Sequence, residues 1–226
     1  LPDLQRLKQE IGRADGANVA IAARDPRVRV ELIKQEGGTT LTEAAVARGL
    51  RWIAQQQQPD GRWRLDGGVR SDSAATSLAL LPFLGAGQTH LSGRHKDVVA
   101  RGLRWLVSHQ KPDGDLRADS TGNSGMYAHG QGAIVLCEAY LMTGDEALRE
   151  PAQKAVDFIV QAQYRDGGWR YQPAQEINVH AQRSDTSVVG WQLMALQSAR
   201  AAKLNVPVEA FELSSHYLET AQSRDG

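Results

Sequence analysis

Apolar residues recur at helical spacing in three separate stretches of the chain. In each stretch they stand at positions i, i+4 and i+7: Val46, Leu50 and Ile53; Val99, Leu103 and Leu106; Ala152, Val156 and Ile159. This spacing predicts three amphipathic helices. Residues 40–43 (TLTE) fit a capping box at the start of the first helix, and Pro151 suits the first position of the third.

The same short segment follows each predicted helix, and it recurs about every 53 residues. It reads QQPDGRW at 57–63, QKPDGDL at 110–116 and QYRDGGW at 163–169, and a shorter copy, QSRDG, occupies 222–226. Proline and glycine favour a tight turn that ends a helix. We call this segment the turn motif. Its period indicates a repeat architecture.

A polar, glycine-bearing loop and a more apolar stretch follow each turn motif, which predicts a second, buried helix in every repeat. These inner helices begin near Asp72, Tyr127 and Asp185. Small residues inside them predict close packing; they include Gly130, Gly132 and Gly190. The predicted unit is an outer helix, a turn and an inner helix, with the N-termini of the inner helices gathered on one face. No stretch predicts a strand.

The repeat spacing divides the chain into one domain with several units. We expect cap helices over residues 1–38, repeats over 39–91, 92–148 and 149–205, and the start of a further repeat over 206–226. A closed ring of six such hairpins needs on the order of 300 residues, so we expect the sequence to be a segment of a longer chain. Both terminal faces should then expose apolar surface and offer a route to self-association.

Composition limits the classes of partner. Of the 226 residues, 41% are hydrophobic, and 26 basic side chains balance 26 acidic ones, so no field favours nucleic acid. The one cysteine, Cys137, excludes an internal disulfide framework, and no run of about 18 apolar residues predicts a transmembrane helix. These features do not fix the localisation.

Residues 48–63 follow the pattern R-G-x-x-W-I-x-x-x-Q-x-x-x-G-x-W, and residues 101–116 and 154–169 follow it with few changes, such as Leu116 for the last tryptophan. This pattern closely resembles the QW motif of squalene-hopene and oxidosqualene cyclases, which is related to the prenyltransferase repeat. The resemblance covers about residues 40 to 226 and implies an α/α toroid, here a partial one made of helical hairpins. We expect the glutamine amide to bind a neighbouring helix end while the tryptophan stacks across it.

The resemblance also implies a cavity that receives an isoprenoid or another elongated apolar molecule. In the cyclases an acidic Asp-x-Asp-Asp-Thr-Ala cluster at the start of an inner helix protonates the substrate. Residues 70–75 (RSDSAA) keep only Asp72 of that cluster, and the third repeat offers Asp185. These two carboxylates are the candidate catalytic residues. Their equivalent positions also fit ordinary N-caps, because a short polar side chain accepts a bond from a free backbone N–H.

The second repeat departs from the others at the head of its inner helix, where Tyr127, His129 and Gln131 appear. We predict that these residues and Trp191 line the cavity and bind the ligand, although a lone histidine also fits a structural role. Cys137 has no suitably spaced partners for zinc, so neither a metal nor a cofactor is predicted. Five loop arginines near the same face can stay solvated or receive an anionic group such as a diphosphate: Arg62, Arg64, Arg70, Arg170 and Arg183.

Three functions remain open at this point. The first is a cyclase-like domain that binds an isoprenoid, whether or not it is an enzyme. The second is a non-enzymatic interaction module that binds a protein segment. The third is a carbohydrate-active toroid that uses two carboxylates among Asp72, Glu138 and Asp185, which would have to face each other about 5 to 10 Å apart.

Overall fold

The computed structural model describes residue 24 and residues 26–67, 70–120, 122–177 and 183–222. Within these residues lie eight α-helices, two short 3₁₀ helices and no strand. The α-helices are α1 (Pro26–Gln35), α2 (Thr40–Gln55), α3 (Asp72–Gly85), α4 (Lys96–Ser108), α5 (Gly125–Thr143), α6 (Glu146–Gln161), α7 (Thr186–Ala201) and α8 (Val208–Ala221). The 3₁₀ helices are Gly122–Ser124 and Ala174–Glu176. The all-α prediction is confirmed.

The helices form two layers. The inner helices α3, α5 and α7 pack side by side, and the outer helices α2, α4, α6 and α8 pack against them in chain order. The middle inner helix, α5, is buried along most of its length. One continuous apolar core joins the layers and includes Phe83, Met126, Ile159 and Leu196. Paired helices in two layers make an α/α toroid-like fold, as predicted.

The turn motif ends each outer helix. Helices α2, α4 and α6 all stop two residues before the motif glutamine. The glycine of each motif adopts a positive φ, for example +95° at Gly114, where a Cβ would also overlap the backbone carbonyl of Lys154 on the next outer helix. Glycine is therefore required at this position both for the turn and for the close approach of the next repeat.

Two predicted helix starts are wrong in detail. The capping box of α2 is formed by Thr39 and Thr42, which exchange side-chain and backbone bonds, rather than by residues 40–43. Helix α6 starts a full turn before Pro151, because Asp145 accepts a bond from the backbone N–H of Ala147 and caps it there. Pro151 consequently lies inside the helix.

The motif glutamines join each repeat to the next. The side-chain amide of Gln57 donates to the carbonyls of Gly61 (2.8 Å) and Val98 (2.9 Å), the second of which lies in the first turn of α4. Gln110 and Gln163 make the matching pair of bonds, which reach Pro151 and Ala210 on the following outer helices. The predicted bond from the glutamine to a neighbouring helix is confirmed in all three repeats.

The motif tryptophans tie each turn to the helix before it. The indole N–H of Trp63 donates to the carbonyl of Ile53, and that of Trp169 donates to the carbonyl of Ile159. The donor–acceptor distance is 2.7 Å in both bonds. Both rings are buried. Each tryptophan therefore stabilises the turn in two ways: its ring is buried in the core, and its N–H binds a carbonyl near the C-terminus of the preceding helix.

Small residues allow close packing at two of the three predicted positions. A Cβ on Gly130 would come within 2.8 Å of the Gln192 amide, and one on Gly132 within 3.1 Å of Leu116. At Gly190 a Cβ would meet no atom within 4 Å, so the expectation is wrong there.

Apolar side chains are exposed on both terminal outer helices. Leu41 and Trp52 of α2 are exposed at one end of the described array, and Val208, Leu213 and Leu218 of α8 at the other. Helix α1 abuts the first repeat, where Arg29 donates to the Gly85 carbonyl. The expected cap over residues 1–38 lies in part outside the described residues. Self-association through the exposed ends stays a prediction.

Candidate functional site

The predicted catalytic residue Asp72 stands in the first turn of α3. Its carboxylate lies 3.0 Å from Nη1 of Arg62 and 3.7 Å from Nε of Arg64, so it is held in ion pairs with two loop arginines. The side chain of Ser71, at the N-cap position, makes no capping bond. Asp72 therefore anchors the loop that precedes α3, and the structure shows no N-cap role for its side chain.

The second predicted catalytic residue, Asp185, is the N-cap of α7. Its carboxylate accepts bonds from the backbone N–H of Ser187 (3.0 Å), from the hydroxyl of Ser187 and from the phenol of Tyr171 (2.8 Å). The side-chain bond from Ser187, followed by that from Tyr171, lowers the pKa of Asp185 below its usual value. A carboxylate with such partners is stabilised in its ionised form and is poorly suited to donate a proton.

Tyr127 lies beside this cap. Its hydroxyl is 2.5 Å from the hydroxyl of Ser187, and its ring stacks on Tyr171 with the centroids 6.2 Å apart. Tyr127, Tyr171, Asp185 and Ser187 thus form one polar cluster between the heads of α5 and α7. Its members come from the second and third repeats, and Tyr171 is a member that the sequence did not indicate.

His129 does not lie at an open rim, and that expectation is corrected. Its side chain is fully buried, with Nδ1 accepting from the backbone N–H of Leu116 (3.1 Å) and Nε2 donating to the carbonyl of Ala155 (3.0 Å). Burial lowers its pKa to about 4, so the ring is neutral near pH 7. In the first repeat the hydroxyl of Thr76 accepts the equivalent backbone bond, from Trp63. His129 is therefore a structural histidine.

Gln131 and Trp191 lie about two turns into α5 and α7, at the level of Leu78 on α3. Gln131 is 6% exposed and Trp191 is half-buried, whereas Leu78 (41%) and Met194 (47%) are exposed. The side-chain oxygen of Gln131 is buried and has no hydrogen-bond partner among the described residues. The inner layer thus carries exposed apolar side chains, and the buried side-chain oxygens of Gln131 and Gln192 both lack a hydrogen-bond partner among the described residues.

A hollow of about 750 Å³ opens between the loops of the first two repeats. It is lined by Arg62, Arg64, Leu65, Arg70, Asp72, Trp105, His109, Ala118 and Asp119. The rings of Trp105 and His109 stack with their centroids 4.0 Å apart. We call it the arginine hollow. Three of the five loop arginines noted in the sequence meet there.

Among the described residues, the remaining titratable groups do not build another site. Burial raises the pKa of the Cys137 thiol, which makes it unreactive. Glu138 pairs with Arg24 at 2.6 Å. The part of the chain that the structure describes holds no cluster of three or more His, Cys, Asp or Glu side chains arranged to bind a metal ion. None of its helices is long and apolar enough to cross a membrane.

Comparison with known proteins gives two kinds of similarity. The chain is 28% identical to squalene–hopene cyclase of Bradyrhizobium diazoefficiens over 75% of its own length and 28% of that protein. It is 27% identical to a lanosterol synthase of Aspergillus fumigatus and 24% identical to lanosterol synthase of Candida albicans, over 56% and 62% of this chain and 17% and 20% of those proteins. The profile of the pectic acid lyase family matches residues 128–221.

These similarities define the class of the domain in broad terms. The chain is distantly similar to terpenoid cyclases, and together with the two helical layers this supports a squalene cyclase-like repeat domain. The chain spans less than a third of the length of these relatives. The match to pectic acid lyases carries a different family name and covers the region from α5 to α8.

Proposed function

We propose that the inner layer binds an elongated apolar ligand of the isoprenoid class. The observation that carries the proposal is the pair of exposed apolar side chains, Leu78 and Met194, on the two inner helices that flank α5. Exposed apolar side chains that point away from the core can form a ligand-binding face. The names of the relatives, squalene–hopene cyclase and lanosterol synthase, support an isoprenoid.

The polar groups of this face fit a ligand that carries one hydroxyl. The unpaired oxygen of Gln131 is an acceptor that is costly to bury without a donor. A ligand hydroxyl would satisfy it once the covered amide turns outward, while Trp191 and Tyr127 would contact the apolar chain. In this proposal Gln131 sets the orientation of the ligand and the apolar side chains supply most of the affinity.

The proposal is for binding and leaves catalysis as a prediction. Asp72 is held by two arginines and Asp185 is an ionised cap, so neither is arranged as the protonating acid that cyclase chemistry needs. An acid from another part of a longer protein would complete such a reaction. A catalytic role of Asp72 and Asp185 therefore stays a prediction.

Titration with a fluorescent farnesol analogue tests the binding proposal. Leu78→Ser and Met194→Ser should each weaken binding by about three- to tenfold, because each removes apolar contact area from a surface position. Leu213→Ser is the matched control, since Leu213 is equally exposed but lies on the outer helix α8. Equal affinity for the unchanged protein and both inner-layer variants would reject the proposal.

A second candidate is binding of an acidic polysaccharide, and the profile match to pectic acid lyases favours it. Within the matched region Arg170 lies over the ring of Tyr171, with its guanidinium carbon 4.9 Å from the ring centroid, and it donates to the Arg183 carbonyl. Arginine next to an aromatic ring suits a carboxylated sugar. The two-carboxylate mechanism is weakened, because Glu138 lies about 20 Å along α5 from the helix ends that carry Asp72 and Asp185, and α5 separates those two ends from each other.

Affinity electrophoresis in gels that contain polygalacturonate tests this candidate. Retardation should occur with the free acid and not with the methyl ester, and Arg170→Gln should reduce it, whereas Arg149→Gln on α6 should not. Equal retardation by acid and ester, or none by either, would remove the candidate. The interaction-module alternative predicts no affinity for either the farnesol analogue or the polysaccharide.

A further inference from the structure

The turn motif places an arginine at the same point in all three repeats, directly after its last residue: Arg64, Arg117 and Arg170. Five residues before the next motif glutamine stands an aromatic side chain, Trp105 in one case and Phe158 in the other. Arg64 with Trp105 and Arg117 with Phe158 are therefore equivalent pairs. We call them the first and the second junction.

The second junction is filled by the protein itself. Arg117 lies over the Phe158 ring at 5.6 Å, donates to Asp115 through Nε (3.0 Å), and binds both carboxylate oxygens of Glu176 through its two terminal nitrogens. Its side chain is 10% exposed. Glu176 reaches this place because the third loop runs from Trp169 to Asp185 and forms the 3₁₀ helix that carries it.

The first junction has the same arginine and ring but no such carboxylate. The loop that would cover it runs only from Leu116 to Gly125, and the arginine hollow of about 750 Å³ remains in its place. The Arg64 side chain is 57% exposed, and Arg70 has no ion-pair partner among the described residues. Trp105 lines the hollow, and its buried indole N–H has no hydrogen-bond partner among the described residues.

The acidic residues of the hollow do not replace the missing carboxylate. Asp72 is engaged by Arg62 at 3.0 Å, and Asp119 accepts from the backbone N–H of Asp72 at 2.9 Å. The contact between Asp72 and Arg64, at 3.7 Å, is long. Arg64 and Arg70 thus keep donors for an anion, beside the stacked rings of Trp105 and His109.

We propose that the arginine hollow is a binding site for the carboxylate of a small ligand with a flat ring face. At the second junction, the carboxylate of Glu176 binds the equivalent arginine, Arg117, which lies over the ring of Phe158. A bidentate arginine favours a planar carboxylate, and the exposed ring of His109, which stacks on the buried Trp105, offers a surface for the ligand ring. The site is separate from the inner layer and does not depend on the proposed isoprenoid ligand.

Benzoate and its neutral isostere benzamide test the proposal. The indole N–H signal of Trp105, assigned with Trp105→Phe, should shift and saturate with benzoate at a dissociation constant on the order of 1 mM, and not with benzamide. Arg64→Gln and Arg70→Gln should each raise the dissociation constant for benzoate by at least about tenfold, because a charged hydrogen-bond pair is lost. Arg104→Gln, an exposed arginine on α4 outside the hollow, is the matched control.

Several outcomes would overturn the proposal. They are equal affinity for benzamide and benzoate, unchanged affinity in the Arg64→Gln, Arg70→Gln double variant, and tighter binding of inorganic phosphate than of benzoate at the Trp105 signal. Each leaves the farnesol titration unaffected, so failure of this site is distinguishable from failure of the inner-layer proposal.

Emptying the second junction gives an independent test. Glu176→Ala removes the internal carboxylate, so the variant should bind two benzoate molecules per chain where the unchanged protein binds one. The Trp105 signal reports whether the first site is intact in the variant. A stoichiometry of one in the variant would contradict the equivalence of the two junctions.

Discussion

The turn motifs and the outer helices that they join, which we call the outer seam, make the same contacts in every repeat, whereas the loops above the inner helices differ from repeat to repeat. Along the seam, Gln57, Gln110 and Gln163 make the same two kinds of bond, each to its own motif glycine and to the next outer helix. Above the inner helices the loops all differ. Arg64 borders an open hollow while Arg117, its equivalent, is buried under Glu176.

This difference distinguishes residues that attach one repeat to the next from residues that are free to form a ligand site. Every repeat must attach to the next in the same way, so the residues of the seam are repeated in sequence and in geometry. The loops carry no such constraint, and their lengths decide which polar groups are covered. The places where the repeat is broken are consequently the places to look for ligands.

The largest expected effect concerns the seam. Trp169→Ala should lower the free energy of unfolding by about 3 to 5 kcal/mol, because a fully buried ring leaves a cavity and its bond to Ile159 is lost. Denaturant unfolding measures the change. Trp169→Phe is the control that keeps most of the volume, and it should lose much less. A loss below about 1 kcal/mol for Trp169→Ala would contradict a seam stabilised by buried rings.

The second prediction compares equivalent arginines. Arg117→Gln should lower the free energy of unfolding by about 3 kcal/mol, because it leaves the buried carboxylate of Asp115 with only Lys111 as a charged partner. Arg64→Gln should lower the free energy of unfolding by less than about 0.5 kcal/mol, since the Arg64 side chain is 57% exposed, its contact with Asp72 is long at 3.7 Å, and Arg62 still pairs with Asp72. Both are measured by denaturant unfolding. Equal costs would show that the two junctions do not differ as described.

The third prediction concerns the loss of folding stability at low pH. The pKa of His129 is lowered by burial from 6.5 to about 4, so the folded protein holds the ring neutral while the unfolded chain protonates it. The stabilisation is complete above pH 6.5 and is lost as the pH falls toward 4, by about 3 kcal/mol in total.

Unfolding free energies measured between pH 7 and 4 check this slope. His129→Gln should flatten it, because no group titrates at that position. The folded protein keeps Asp115 ionised throughout this window, because the bonds from Arg117 and Lys111 lower its pKa to about 2, so Asp115 adds to the slope only near pH 4, where the unfolded chain begins to protonate it. A slope that survives in His129→Gln would assign the acid sensitivity elsewhere.

The smallest effect expected along the seam concerns a single motif glutamine. Gln110→Met should cost about 1 to 2 kcal/mol, because two hydrogen bonds to backbone carbonyls are lost while the side-chain volume is kept. Gln57→Met and Gln163→Met should cost similar amounts if the seam is uniform. A cost confined to one of the three would show that the repeats are not attached equally.

Part of the site was predictable from residue spacing and part was not. The motif glutamines were correctly placed at the next helix, because their role repeats and depends on local turn geometry. Asp185 was foreseen as a cap, whereas Asp72 is instead held by Arg62 and Arg64. Tyr171 and Glu176 were missed, since both act through contacts with side chains far away in sequence. The arginine that follows every motif was the available signal for the junctions.

The sequence by itself determined the helices, their pairing and the points where the outer ones stop, because apolar spacing and turn chemistry act over a few residues. Only the tertiary structure decided that His129 lies in the core and that Arg64 is open while Arg117 is covered. Those outcomes depend on the length and path of a loop from the following repeat, and on the volume left where Leu116 replaces a tryptophan. Such long-range packing is not written in any local pattern.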